Sequence, residues 1–321
     1  MNGPVHQAAR FVATTLLVLL LLVLGAAAAL YAWTGTQHSL DWALGRFAQP
    51  LGVTVEGARG SLRTGATAEA VSWDAEGLRA RAAGVDIGWH WRALIERRLH
   101  LSHLRADVVE VVDERPPSQD ERTERAPPQD LSLPLAVQVD ELRIGRLALT
   151  GNNAFEARGI AGSYRYEQAE HAASLSSIEL PQGRASGELR LGARAPMPLD
   201  LRLRGEASAP LPGGQRSLPL SVEAHAQGEL ADFRVEARAV GTQGGDTAPR
   251  GTLRARVMPW ADMPLPEAHA RLERIDLAAL LPQAPRTRLS GEAAVVPEPG
   301  GGWRIEADIA NAEPGPWDKG M

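Results

Sequence analysis

Arg234-Val235-Glu236-Ala237-Arg238 alternates charged and apolar side chains one by one. A period of two marks a strand with one face turned away from water. The same alternation recurs on either side, in Leu189-Arg190-Leu191 and from Leu253 to Val257. Nearer the N-terminus it runs through Val53 and Val55, Val71 and Trp73, Leu78 to Ala82, and Val85, Ile87 and Trp89. Gly57, Gly60, Gly65, Gly77 and Gly84 fall between those runs, which predicts an antiparallel meander with glycine turns.

Outward from there the pattern is interrupted twice. Trp91 to Arg98 predicts one helical turn, after which Leu99 and Leu101 resume the alternation up to Val112. Asp113 to Gln129 has no large apolar side chain and is rich in Pro, Arg, Glu, Gln and Asp, the composition of a flexible linker or loop. Strands restart at Leu135, Val137 and Val139, slip in register to Leu142 and Ile144, and reach a turn at Gly151 and Asn152. Beyond it the alternation continues through Leu199 to Leu203, Leu218 to Val222, Phe233 to Ala237 and Trp303 to Ile309, with Ile275 to Leu281 as the one later helical stretch.

This gives about 20 strands, more than the ~10 that a twisted open sheet holds without curling or splitting. At ~4.8 Å per strand the body would be on the order of 100 Å long. The expected fold is mainly β: an N-terminal transmembrane helix followed by an elongated, curled antiparallel sheet with an apolar interior. One face carries Leu, Val, Ile, Ala and Trp. The other carries Arg202, Arg204, Arg254, Arg256 and similar polar residues, read as a solvated exterior. Either the sheet folds on itself or it leaves an apolar groove. Candidate groove residues are Val53, Val55, Val71, Trp73, Val85, Ile87 and Trp89 in the first half. Further along the chain they are Leu99, Leu101, Val137, Val139, Leu201, Leu203, Val235 and Ile305.

The first fifty residues predict the anchor. From Phe11 to Trp33 there is no charge, and Leu16, Leu20 and Leu24 lie within the most apolar part. At 1.5 Å per residue this stretch reaches roughly 33 Å, enough for a hydrocarbon core of ~30 Å. Arg10 precedes it and no Lys or Arg follows until Arg46, so the N-terminus is expected in the cytoplasm and the body on the far side. Tyr31 and Trp33 suit the headgroup layer. Ser39 is expected to cap a short helix with Leu40, Leu44 and Phe47 on one face, ended by Pro50 and Gly52. The resulting division is a cytoplasmic tail (1–10), a signal anchor (11–33), a first β segment (34–112), a linker (113–130) and a second β segment (131–321).

Composition narrows the function. The chain of 321 residues has no cysteine, hence no disulfide and no thiolate metal site. Its 34 basic and 39 acidic residues give a net charge of −5 without a polybasic cluster, which argues against nucleic acid as a partner. No HExxH, GxSxG, GxxxxGK or helix-opening GxGxxG is present. His100 and His103 form an H-x-x-H, yet in a strand residues three apart face opposite sides, so they are not expected to share a metal. The carboxylates Asp113, Glu114, Asp120, Glu121 and Glu124 fall in the linker and read as a solvated charge run. The expectation is a protein without enzymatic activity, cofactor or catalytic residue.

The order of several short patterns resembles a known family. They are Trp33-Thr34-Gly35-Thr36, GARGSL from Gly57 to Leu62, Val71-Ser72-Trp73 through Trp89, and Leu94-Ile95 with Leu99 to Leu104. Leu133-Pro134-Leu135 to Leu149, TRLSG from Thr287 to Gly291, and Gly315-Pro316-Trp317-Asp318 after Asn311 follow in the same order. Together they are similar to the TamB-like, AsmA-related proteins of the Gram-negative envelope, grouped with bridge-like lipid transfer proteins. The resemblance implies a single-pass inner-membrane protein with a periplasmic body, whose groove passes phospholipid toward the outer membrane. It also implies, through a C-terminal domain absent here, an outer-membrane barrel partner of the TamA type. The alternative it leaves open is a scaffold or chaperone subunit in assembling outer-membrane proteins such as autotransporters. The family's chains are several-fold longer, and the second β segment is expected to be truncated after Asp318.

Overall fold

Among the described residues sixteen strands join edge to edge into one long, open, curled sheet. The computed structural model describes residues 29–312 except 76, 115–125, 152–153, 211–216, 244, 246–247, 262, 276–287 and 299–301. The strands are β1 (Val53–Glu56), β2 (Arg59–Ser61), β3 (Gly65–Ala75), β4 (Leu78–Trp89), β5 (Arg98–Asp113), β6 (Ala136–Gly151), β7 (Phe155–Tyr166) and β8 (Glu170–Leu180). They continue as β9 (Gly183–Gly192), β10 (Pro198–Pro210), β11 (Ser217–Glu229), β12 (Asp232–Gly241), β13 (Arg250–Val257), β14 (Glu267–Ile275), β15 (Leu289–Glu298) and β16 (Gly302–Asn311). Each lies beside its neighbour in sequence from β3 to β16, while β1 and β2 both pair with β3.

The expected count of about twenty is too high because runs separated by a glycine or a slip are single strands. Gly84 does not turn the chain. It sits inside β4 at φ 62°, a left-handed residue within a strand that continues through it. The slip after Val139 is a bulge inside β6, where Val139 and Leu142 pair with Tyr164 and Gly162. At ~4.8 Å per strand, the path from β1 to β16 spans roughly 70 Å instead of 100.

The sheet is not antiparallel throughout. β5 and β6 run parallel along their whole length, from Arg98↔Ala136 to Asp113↔Gly151. A parallel neighbour needs a connection that returns along the strand. Segment 114–135 is that connection: at ~3.3 Å per residue it can reach roughly 70 Å, more than the ~50 Å length of β5. The two β segments on either side of it are therefore halves of one sheet.

The end of that connection is pinned. Leu131 N–H donates to Ala193 O at 2.8 Å and Ala195 N–H to Gln129 O at 3.0 Å. His171 joins it from the start of β8: its Nε2 lies 3.1 Å from Leu131 O, its Nδ1 2.7 Å from the Tyr164 hydroxyl. A carbonyl only accepts, so Nε2 carries the proton and donates to Leu131 O. Tyr166 stacks on the same imidazole at 4.6 Å. Tyr166, Ala193 and Met197 are all fully buried at this corner.

The neighbouring strands β4 to β7 change the parity of their apolar positions at one level. Ala106, Ile144 and Ile160 pair across β5, β6 and β7 below it, and Val109, Leu147 and Ala157 above it. Residues three apart in a regular strand face opposite ways, yet Ile160 and Ala157 are both buried. Gly159 between them has φ 55° and Gly84 in β4 has φ 62°, so a left-handed residue turns the strand over at this line. Gly145 in β6 stands there too, because a Cβ would come within 2.5 Å of Asp107 O.

At the N-terminal end, residues 29–34 are helical and α1 (Gln37–Ala43) follows. Ser39 is not its cap. The helix starts two residues earlier, and the buried Ser39 hydroxyl bonds back to Thr36 O at 2.7 Å and Thr34 O at 3.1 Å. Of the expected inner face only Leu40 is buried; Phe47 is 61% exposed and meets Trp42 edge-on. Gly52 at φ 72° ends the segment as expected. The anchor residues Phe11, Leu16, Leu20 and Leu24 lie outside the described residues. Among the described residues no helix is long and apolar enough to cross a membrane. Most of the expected helix 275–281 also lies outside them, and Ile275 itself ends β14 as strand.

Candidate functional site

Cross-strand partners share a face of the sheet, so the register itself tells whether the apolar positions connect. They do. One unbroken row runs Trp89–Leu101–Val139–Tyr164–Ala173 through β4 to β8. It continues Leu189–Leu201–Ala226–Val235–Ala255 through β9 to β13. It ends Ala268–Val295–Ile305 in β14 to β16. The row one residue over reads Gln138–Arg165–Ala172–Arg190–Asp200–Gln227–Arg234–Arg256–Glu267, almost wholly polar.

Nine of the fifteen groove candidates fall in or beside this row. Trp89, Leu101, Val139, Leu201, Val235 and Ile305 are in it, Leu99 and Val137 pair one step below, and Leu203 follows two residues after Leu201. Ile87 pairs with Leu104 and Val85 with Ala68 on the near side of the left-handed glycine line. Val53, Val55, Val71 and Trp73 form a ladder beyond it: Val53↔Trp73 and Val55↔Val71. Val139, Ala226 and Ala268 in the row are buried at 6–7% exposure, and Ile305 at its end is 72% exposed. Among the described residues no helix or second sheet covers this face.

The polar face is held by short ion pairs. Arg105 makes a two-point contact with Glu141 at 2.9 and 3.1 Å, and Arg184 binds Glu206 at 2.8 and 3.0 Å. The hydrogen bond from Arg256 holds the Asp232 carboxyl below its ordinary range, and Arg158 with Arg146 does the same to Glu156. Arg202, Arg204 and Arg254 likewise face carboxylates of their own or the neighbouring strand.

At its N-terminal end the apolar face opens on a cavity of about 700 Å³. Leu30, Tyr31, Leu62, Trp89, Trp91, Leu94, Ile95 and Leu99 form its walls, with Thr34, Arg63, His90 and His100 as its polar members. Trp89 is fixed there by a 2.6 Å bond from Nε1–H to Leu62 O. Arg63 is held with its guanidinium 4.5 Å above the Tyr31 ring and Nη1 3.2 Å from Tyr31 O. Ile95 is 77% exposed, Leu30 61% and Leu94 50%. Sequence reading missed this cavity. Its walls come from four separate segments, and Leu94 and Ile95 sit in the 3₁₀ turn Trp91–Glu96, where no strand period flags them.

Trp33, Trp42 and Phe47 form a second apolar cluster, with Trp42 and Phe47 exposed and Trp33 half-buried and meeting Trp42 edge-on at 5.7 Å. His100 and His103 do part company: His100 Nε2–H donates to Asp140 at 2.7 Å, while His103 pairs with Asp86 at 3.2 Å.

Residues 22–156 match the family described as TamB, N-terminal domain. That span holds the cavity, the parallel β5–β6 pair and the near end of the apolar row. No curated protein and no solved structure matches the chain.

Proposed function

We propose, from the premise that this chain is TamB-like over its N-terminal portion, that its curled sheet is a conduit for phospholipid acyl chains between the inner and outer membranes. The observation that carries the reading is the continuous apolar row from Trp89 to Ile305, backed by a polar row one residue over. Each CH₂ left in water costs about 0.8 kcal/mol, so an acyl chain gains by lying along such a surface while its headgroup stays hydrated. Movement from strand to strand needs no covalent step and no cofactor, because successive positions are chemically alike. The cavity between Leu30, Trp89 and Ile95 is the entry, at the end of the sheet nearest the proposed anchor 11–33.

The Trp33–Trp42–Phe47 cluster supports that placement, since the indole N–H gives Trp33 and Trp42 a polar edge that favours the headgroup layer. In this reading the body lies in the periplasm, and an outer-membrane barrel would receive the lipid.

Mass spectrometry of lipids co-purifying with the full chain tests it. Stoichiometric phospholipid that is lost on Leu203→Asp supports the conduit, and a lipid-free, monodisperse protein overturns it.

A second reading rests on the strand edge. Among the described residues β16 pairs only with β15, and its Trp303, Ile305 and Ile309 are exposed. An unfolded outer-membrane strand could add there by main-chain pairing. Photo-crosslinkers at Ile305 would then capture polypeptide in place of phospholipid.

A further inference from the structure

His90, His100 and Asp140 come from three different elements, yet one donor atom of each lies within 4.8 Å of the other two. His90 follows β4, His100 is the third residue of β5, and Asp140 is in β6. Backbone pairing sets the arrangement: His90 N–H donates to His100 O at 2.9 Å, and His100 is the register partner of Gln138, two residues before Asp140. The two imidazoles stand 4.5 Å apart at 50°, converging instead of stacking flat.

We propose that these three residues form a binding site for a divalent transition-metal ion, with zinc as the ion their chemistry suits best. Two neutral imidazoles and one carboxylate are a zinc donor set that leaves a fourth position for water or an anionic oxygen. With bonds of ~2.0–2.1 Å, tetrahedral ligands sit about 3.3 Å from one another. The present spacings, from 2.7 Å between His100 Nε2 and Asp140 Oδ2 up to 4.8 Å, bracket that value, so side-chain rotation alone can close the set.

A supporting contact is already in place. Gln138 Nε2 donates to Asp140 Oδ1 at 2.7 Å, leaving Oδ2 for the ion and fixing the plane of the carboxylate. The His100–Asp140 hydrogen bond would give way to the metal: the His100 proton shifts from Nε2 to Nδ1, and the Nε2 lone pair and Asp140 Oδ2 both turn to the ion. His90 is exposed, so an ion has a path in.

The site's position gives it a consequence. His90 and His100 both line the apolar cavity, and His90 directly precedes the 3₁₀ turn that carries Leu94 and Ile95. A bound ion would fasten that turn to β5 and β6 and set the width of the cavity mouth. This holds whether the cavity takes lipid or something else.

Titration of the full chain, purified in detergent and stripped with a chelator, with Zn²⁺ by calorimetry and with Co²⁺ by visible absorption tests the site. One equivalent is expected, with the ligand-field bands of a four- or five-coordinate Co²⁺ ion. His90→Gln and Asp140→Asn should abolish stoichiometric uptake, and Gln138→Ala should weaken it ~10–100-fold. His103→Ala, whose partner is Asp86, should leave it unchanged. Circular dichroism of the metal-free variants separates lost ligation from lost folding. No stoichiometric uptake by the parent chain, or uptake that survives both ligand variants in folded protein, overturns the proposal.

Discussion

The indole Nε1–H of Trp89 donates to the carbonyl of Leu62 at 2.6 Å, tying the end of β4 to the β2–β3 turn across the cavity. Trp89 is thus both a wall and a strut. Trp89→Phe keeps an aromatic wall but strands a part-buried carbonyl, which costs about 1–3 kcal/mol. The expected result in denaturant titration is a lower midpoint with an unchanged slope, and His103→Ala should not reproduce it.

Charge placed in the apolar row separates folding from occupancy. Val139 is 7% exposed, so Val139→Asp buries an unpaired carboxylate and should unfold the β5–β7 region. Leu203 is 37% exposed, so Leu203→Asp keeps its carboxylate hydrated and should leave melting within a few degrees of the parent. Bound phospholipid should be lost from both.

The left-handed glycines are expected to differ in cost. Alanine at Gly84 or Gly159 forces an L side chain into the left-handed region, at about 1–2 kcal/mol each. At Gly84 the new Cβ would also collide with the Asp107 carboxylate, whereas at Gly159 the nearest atom is 3.6 Å away on Glu179. Chemical denaturation should therefore rank Gly84→Ala as clearly the more destabilising.

Acid should loosen the polar face. The Glu156 carboxyl is held below 4.5 by Arg158 and Arg146, and that of Asp232 below 3.8 by Arg256. Their folded forms bind protons less readily than the unfolded chain. The stability they add is thus complete above the ordinary values and is lost as pH falls through the depressed ones. Melting temperature against pH should be flat from 7 to about 5 and fall below it, less steeply in the double variant Arg158→Met/Arg256→Met.

The Tyr164–His171–Leu131 chain fastens the β5–β6 connection to the sheet corner. His171→Ala removes its middle member. Limited proteolysis should then cut after the arginines of segment 121–125 or near Leu131 at least several-fold faster, with the sheet's circular dichroism unchanged.

Much of this architecture is legible in single stretches of sequence. The alternation around Val235 and Leu201 gives strand, face and neighbour at once, because local period and sheet face are the same thing in a meander. The turn Trp91–Glu96 and the stop at Gly52 are equally local. What escapes reading is whatever depends on two distant segments. Gly84 has the same side chain in a turn and in a bulge, and only its opposition to Asp107 decides. The parallel β5–β6 pairing leaves no trace in either strand; the length and polarity of 114–135 permit it without requiring it. The donor set of His90, His100 and Asp140 is spread over fifty residues, and the H-x-x-H that drew the eye shares only one of its members.

The parallel seam also orders events in time. From β6 to β16 every strand meets a partner close in sequence, so that portion can zip from any hairpin at little entropic cost. β5 and β6 can meet only after 114–135 has closed on itself, a step that costs about 3 kcal/mol of chain entropy by a (3/2)RT ln n estimate before any ladder bond offsets it. The two stretches of sheet are therefore expected to form separately and dock late, and a chain whose synthesis is unfinished can have β1 to β5 in place before the remainder has joined them.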